Sequence, residues 1–247
     1  MYKVWTISLC YTDADIIRDS LKRLQETRTP EKVDMQIVMI DQHWPINYET
    51  HRKELEIISA ENNAILLDPG KNLGLHDGFN WALEQLPIPD NAMVIGYDPD
   101  SHPDTVGWDK AMCDVFVADS KVMWLSLWHQ HSTRELIEEG KGSRPMQTGG
   151  HWIRQLTRAA MNSVSGFRRG WLRQVGGLKE PSRWYGGLEV AMWGAVVNHG
   201  KWVFLQDFKE SPVFYDRMNP LYRTWKWRHA HEGYPHDFAF FISHNTT

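Results

Sequence analysis

The sequence predicts one mostly parallel α/β domain. Three observations carry this: strand-like and helix-like segments alternate over the first hundred residues, 247 residues suit one large domain, and the hydrophobic and charged contents of 42% and 23% are those of a globular chain. Val4–Leu9 is the first strand. Thr12 or Asp13 caps a helix to about Leu24, in which Ile16, Ile17, Leu21 and Leu24 form one apolar stripe. A strand over Gln36–Ile40 ends at Asp41, a helix covers Glu49–Ala60, and Ala64–Leu67 is the third strand. The segment from Pro69 to Gly78 is punctuated by glycine and opens a helix over Phe79–Leu86. The apolar run from Ala92 is a buried strand ending at Asp98.

The second half is less regular. A helix is expected over Asp104–Ala118 and a strand over Lys121–Trp128, with Met123, Leu125 and Leu127 on one face. Loop composition from Glu139 to Gly150 predicts a mobile segment able to act as a lid. Ser165–Arg169 is a short strand, Arg169–Val175 a short helix, Leu188–Asn198 a longer helix ending near Gly200, and Lys201–Leu205 a strand.

Several classes are disfavoured. No apolar run approaches the roughly 20 residues needed to cross a bilayer. The first residues enter a strand pattern directly, and the two cysteines, Cys10 and Cys113, make no disulfide framework, so a reduced, cytoplasmic setting is expected. No Gly-x-Gly-x-x-Gly follows the first strand and no phosphate-loop motif occurs, which argues against a Rossmann dehydrogenase and a P-loop enzyme. The net charge of −4 is unevenly spread: residues 1–150 carry 14 basic against 24 acidic side chains, net −10, and the remainder 13 against 7, net +6. Such a division suits a protein that holds a cation and an anionic ligand between its halves, and equally suits solvated faces of opposite sign. Most of the 13 tryptophans are expected in the core, although a flat ring at a cleft also stacks on sugars or bases.

The most informative segment is Asp98-Pro99-Asp100. Side chains two apart on a strand share a face, and hard divalent ions such as Mg2+ or Mn2+ take carboxylate oxygens while keeping positions open for phosphate. In order along the chain stand Tyr11-Thr12-Asp13 after the first strand, Ile37–Asp41, Lys71-Asn72-Leu73-Gly74 before Gly78–Ala82, Asp98-Pro99-Asp100, Val164–Arg169 before Val175-Gly176-Gly177, and Trp184-Tyr185-Gly186-Gly187-Leu188-Glu189. Together these resemble the nucleotide-sugar glycosyltransferases of GT-A fold, closest to glycosyltransferase family 2, over residues 3–205.

The resemblance implies a donor site at Tyr11, Asp13, Asp41, Lys71, Asn72, Gly74 and Asp98, with residues 1–100 the nucleotide-binding half, 101–205 the acceptor-side half and 206–247 a C-terminal extension. It implies Mn2+ or Mg2+ on Asp98, Asp100 and a C-terminal histidine, of which His231 is the candidate, although His229 and His231 lie in a segment that reads equally as strand or helix. It places Arg168, Arg169, Trp184, Tyr185 and Gly187 on the acceptor side and makes Glu189 the general base. Leu188 departs from the pattern, since an acid usually stands there. The activity implied is transfer of a sugar, UDP-linked by preference, to a hydroxyl acceptor with inversion. Two alternatives are a transferase acting on a hydroxylated base in DNA and a non-catalytic binding protein of the same fold. Arg217, Arg223, Lys226 and Arg228 form a basic set among aromatics, suited to closing over a diphosphate or to a solvated face.

Overall fold

Four parallel strands form the half of the sheet that the alternating pattern predicts. In the computed structural model, which describes residues 1–129, 144–159, 163–179, 188–212, 217–232 and 238–245, these are β1 (Tyr2–Cys10), β2 (Val33–Asp41), β3 (Ile65–Leu67) and β4 (Met93–Tyr97). They lie side by side in the order β3-β2-β1-β4. The sheet continues through β9 (Val164–Arg168), β6 (Val122–His129), β10 (Lys201–Pro212), β8 (His151–Gln155) and β7 (Met146–Thr148), while β5 (Ser101–Pro103) pairs with the far end of β10. β9 runs antiparallel to both β4 and β6, so its first residue, Val164, sits beside Tyr97 at the carboxyl edge of the parallel strands. Ligands of open α/β sheets bind at that edge.

Helices cover both faces. α1 (Ala14–Thr27), α2 (Tyr48–Glu61) and α4 (Trp108–Ala118) bury Ile17, Leu21, Leu55, Ile58, Met112 and Val115 with Ile37, Met39 and Ile95 on one face. α3 (Leu75–Gln85), α5 (Arg169–Val175) and α6 (Leu188–His199) bury Phe79, Leu83, Leu172, Met192 and Val196 with Ile7, Val38 and Val94 on the other. Because successive strand side chains alternate faces, both sets are apolar, and the strands read as continuous hydrophobic runs. Truncating a fully buried member such as Leu21 to alanine is expected to cost about 2–5 kcal/mol. A third cluster joins Ile16 and Trp44 to the last two helices, α7 (Pro220–Glu232) and α8 (Phe238–Asn245), through Tyr222, Trp225, Phe238 and Phe241.

Several expected boundaries are corrected. α3 begins at Leu75, not Phe79, because Gly74 adopts φ 74° and its carbonyl accepts the Gly78 amide, closing a first turn within the glycine-rich stretch. α4 begins at Trp108, because Ser101–Pro103 is taken into the sheet and Asp104 donates its amide to the Lys209 carbonyl. Met123 does not share a face with Leu125 and Leu127: the pairing with β10 shifts register after Lys201, and Met123 packs with the α3–α6 side. The loop expected through Gly150 contains β7, which turns into β8 at Gly149 and Gly150, both with positive φ; residues 139–143 of it lie outside the described residues. β10 extends to Pro212, seven residues beyond the expected Leu205. The segment holding His229 and His231 is helix α7, which rules out the strand alternation that would have faced them together.

Candidate active site at the carboxyl edge of the sheet

β4 stops at Tyr97, so Asp98 and Asp100 stand on a turn and not on a strand face. The buried Tyr97 hydroxyl bonds Ser20 and donates to the Ser101 carbonyl at 2.8 Å. The Ser101 amide closes the turn on the Asp98 carbonyl, 3.1 Å, and the Asp98 amide donates to the Ser163 carbonyl, 2.9 Å. Burial first, and then the neighbouring Asp100, push the Asp98 carboxyl well above its ordinary range, while Lys226 and a bond from Ser163 oppose the rise. Asp100 Oδ2 is 2.8 Å from Lys226 Nζ, the ammonium arriving from α7. Two acidic side chains thus face one built-in ammonium, a donor set of hard oxygens in which the buried Asp98 favours its protonated form until a cation takes the proton's place. It fits a divalent cation of the Mg2+ or Mn2+ type.

Glu210 fixes the other side of the turn. Its carboxylate, 1% exposed, accepts the amides of Ser163 and Val164, each at 2.8 Å. Burial pushes its carboxyl up to about 8. Beside this turn opens a cleft bordered by Leu9, Gly96, Asp98, Ser163, Leu188 and Glu189. Trp124 forms part of its floor, stacked at 4.0 Å on Trp202. Glu189 sits in the first turn of α6, where the helix dipole favours a carboxylate, and its charge acts on Asp98. Leu188, the departure from the expected pattern, is buried in the core beneath that turn.

The expected donor residues line the same edge but divide into three groups. Tyr11 packs edge-on against Trp44, Tyr222 and Phe238, and Asp13 Oδ2 accepts the Asn219 amide at 2.8 Å, so both meet the C-terminal helices. Asp41 is fully buried and accepts bonds from the His43 amide, the Tyr48 hydroxyl and Arg52 at 2.8, 3.2 and 3.0 Å. His43 and Asp68 complete a cluster with Asp41 whose ligating atoms lie within 4.8 Å of one another. A metal there would compete with Arg52, which already reaches Asp41 and, at 3.5 Å, Asp68. Lys71, Asn72 and Gly74 form the entry to α3: Asn72 Oδ1 holds the Gly74 amide at 2.8 Å, and the Gln42 side chain holds the Leu73 amide at 2.8 Å.

Arg168 and Arg169 lie apart from the cleft, at the end of β9 that pairs with Met93. The Arg168 guanidinium donates to the carbonyls of Phe116, Val122 and Asp119, tying the end of α4 to β6. Arg169 reaches the Leu83 carbonyl at 3.3 Å. Trp184, Tyr185 and Gly187 lie outside the described residues, and His231 is described only as part of the α7 backbone. Sequence reasoning missed Ser163, Glu210, Arg52 and Tyr48. Only the polar Tyr48–Arg52 face beside Asp41 offered a local signal; Glu210 is one of two acids, with Asp207, in a mixed polar strand.

No protein-family profile and no curated protein matches the sequence. Solved structures do. The mannosyltransferase PcManGT from Pyrobaculum calidifontis, in complex with GDP-Man and Mn2+, superposes with a TM-score of 0.60 at 16% identity, covering 83% of this chain and 56% of its own. GalNAc-T7 with UDP, GalNAc and Mn2+ gives 0.61 at 10% identity, covering 100% of this chain and 57% of its own. S. aureus TarS 1–349 in complex with UDP-GlcNAc gives 0.57 at 14%, covering 84% and 58%. The protein has the GT-A fold. The GT-A neighbours are glycosyltransferases captured with nucleotides or nucleotide sugars, and this chain spans a little over half the length of each of these three. Among the described residues, no helix of this GT-A domain is long and apolar enough to cross a membrane.

Proposed function

We propose that the protein is a metal-dependent glycosyltransferase that moves a sugar from a nucleoside-diphosphate donor, UDP-linked by preference, to a hydroxyl acceptor. The observation that carries this reading is the pairing, across one cleft of a GT-A fold, of the two-carboxyl turn at Asp98–Asp100 with the helix-borne carboxylate Glu189. The neighbours' ligands, UDP-GlcNAc, UDP with GalNAc, and GDP-Man, support a nucleotide-sugar donor.

In this reading Asp98 and Asp100 hold Mn2+ or Mg2+, which when bound supplies a counter-charge for the leaving diphosphate. The Asn72–Gly74 entry to α3 and Asp41 border the nucleotide, and Tyr11 and Asp13 flank it. Glu189 removes the acceptor hydroxyl proton from the side of the cleft opposite the diphosphate, so the anomeric centre inverts. The acceptor approaches past the α6 start, and residues 1–100, 101–205 and 206–247 act as donor half, acceptor half and C-terminal cover. A cytoplasmic setting accords with the two buried thiols, Cys10 and Cys113.

The test is thermal-shift binding of UDP, GDP, CDP and ADP with and without Mn2+, on the wild type and on Asp100→Ala. A ligand that binds only the folded state raises its stability with ligand excess. A Mn2+-dependent rise for one nucleotide, absent from the variant, is the expected result. No rise with any nucleotide would sink the donor-site reading.

A further inference from the structure

The cation that meets the carboxylate turn in this fold comes from the chain itself. Lys226 Nζ lies 2.8 Å from Asp100 Oδ2, with the two side chains only 14% and 21% exposed. Lys226 also acts on Asp98 and stands 5.3 Å from the Tyr222 ring centre. Its position is not that of a loose surface lysine. Tyr222, one turn before it, and Trp225, the residue before it, are buried in the aromatic cluster with Trp44 and Phe238. The start of α7 is tied to α1 by the Asn219 amide on Asp13, 2.8 Å, and by Arg217 on Asp15 and Asp19 at 3.0 and 2.6 Å. The helix therefore presents the ammonium to Asp100.

A divalent ion on Asp98 and Asp100 would share Asp100 with that ammonium, and two like charges within a few ångströms in a poorly solvated site repel strongly. Metal alone therefore binds against Lys226. A diphosphate changes the balance, because its oxygens give the ammonium a new partner within the sweep of its four-carbon stem. Resting on the donor-site reading above, we propose that Lys226 is an internal counter-cation that competes with the divalent ion for Asp100 and moves to the diphosphate of the donor, so that ion and nucleotide bind cooperatively. Such coupling is reciprocal: whatever factor the nucleotide adds to metal affinity, metal adds to nucleotide affinity.

The experiment measures Mn2+ binding by electron paramagnetic resonance of the free ion and UDP and GDP binding by titration calorimetry, each alone and together. It uses the wild type, Lys226→Met and Lys226→Gln, the last retaining a hydrogen-bond donor for Asp100 in case the methionine variant does not fold. Both variants are expected to bind Mn2+ alone at least about tenfold more tightly than the wild type, a change equivalent to about 1.4 kcal/mol. They are also expected to bind nucleotide with Mn2+ more weakly, so that the coupling factor shrinks. Mn2+ affinity unchanged or lowered in a folded variant would overturn the proposal, even where the wild type binds nucleotide and ion normally. A wild type that binds neither nucleotide, with or without Mn2+, would instead overturn the donor-site reading and this proposal with it.

Discussion

Two pairs of carboxylates stand at the carboxyl edge of the same sheet, and they are neutralised in opposite ways. At the ends of β2 and β3, Asp41 and Asp68 are held by groups from the adjacent helix and loop: Arg52 contacts both, Tyr48 and the His43 amide bond Asp41, and the His43 ring lies 2.9 Å from Asp68. After β4, Asp98 and Asp100 receive their countercharge from Lys226, 126 residues further on in sequence. The first cluster is closed by rigid local parts and its guanidinium cannot be deprotonated. The second depends on an ammonium carried on a flexible four-carbon stem. A site meant to exchange ligands needs the second kind of construction; a site meant to hold a loop in place is served by the first.

The comparison can be broken most severely by removing the chemistry. Glu189→Gln is expected to lower kcat about 10²–10⁴-fold, the usual range for loss of a general base, with nucleotide binding in calorimetry unchanged. Full turnover in that variant would remove Glu189 from the chemistry, and no turnover in the wild type would favour the binding-protein alternative. Next in size is Asp41→Asn, which leaves Arg52 without its buried partner; a loss of about 3 kcal/mol in urea unfolding is expected. Mn2+ binding should survive that change, and its disappearance would move the metal from the β4 turn to the β2 edge. Arg168→Ala should cost about 1–3 kcal/mol, because it removes donors from three carbonyls at the α4–β6 junction. Acceptor KM should not move, and a large rise in KM would return Arg168 to the acceptor side.

A further expected effect is one of pH. Burial lifts the Glu210 carboxyl from 4.5 to about 8, so the folded chain keeps a proton that the unfolded chain releases. That contribution to stability is full below about pH 4.5 and is lost as pH rises through about 8. Glu210→Gln, which cannot ionise, should show a shallower decline in unfolding midpoint from pH 5 to pH 8.5 than the wild type. Parallel declines would show that Glu210 titrates normally.

What could be read from sequence was what repeats locally. β1 to β4 bury both faces, so each is an apolar run, and Asp98 follows the last of them without ambiguity. The Asp41 and Asn72–Gly74 positions are marked by the strand and helix boundaries beside them. What was not legible is a matter of distance. Lys226 meets Asp100 through a tertiary contact that no spacing encodes, and Glu210 lies in the mostly polar end of β10, where only Phe208 between Gln206 and Ser211 is apolar and nothing marks one acid as buried. Arg168 is close in sequence to Ser163 at the cleft, but β9 runs away from the Asp98 turn at about 3.3 Å per residue, which carries Arg168 to the end of the strand beside Met93. Helix α7 shows no stripe because it packs against aromatics on one side and against the carboxylate turn on another.

The stacked pair of indoles beneath the cleft has an optical consequence. Trp124 borders the cleft and lies within 18° of parallel to Trp202, with ring centres 4.0 Å apart. Two chromophores so placed share their excited states, and the resulting circular-dichroism couplet depends on their separation and tilt. A sugar or nucleotide that settles against Trp124 would alter the couplet without any added label, giving the protein an intrinsic signal for occupancy of its own cleft.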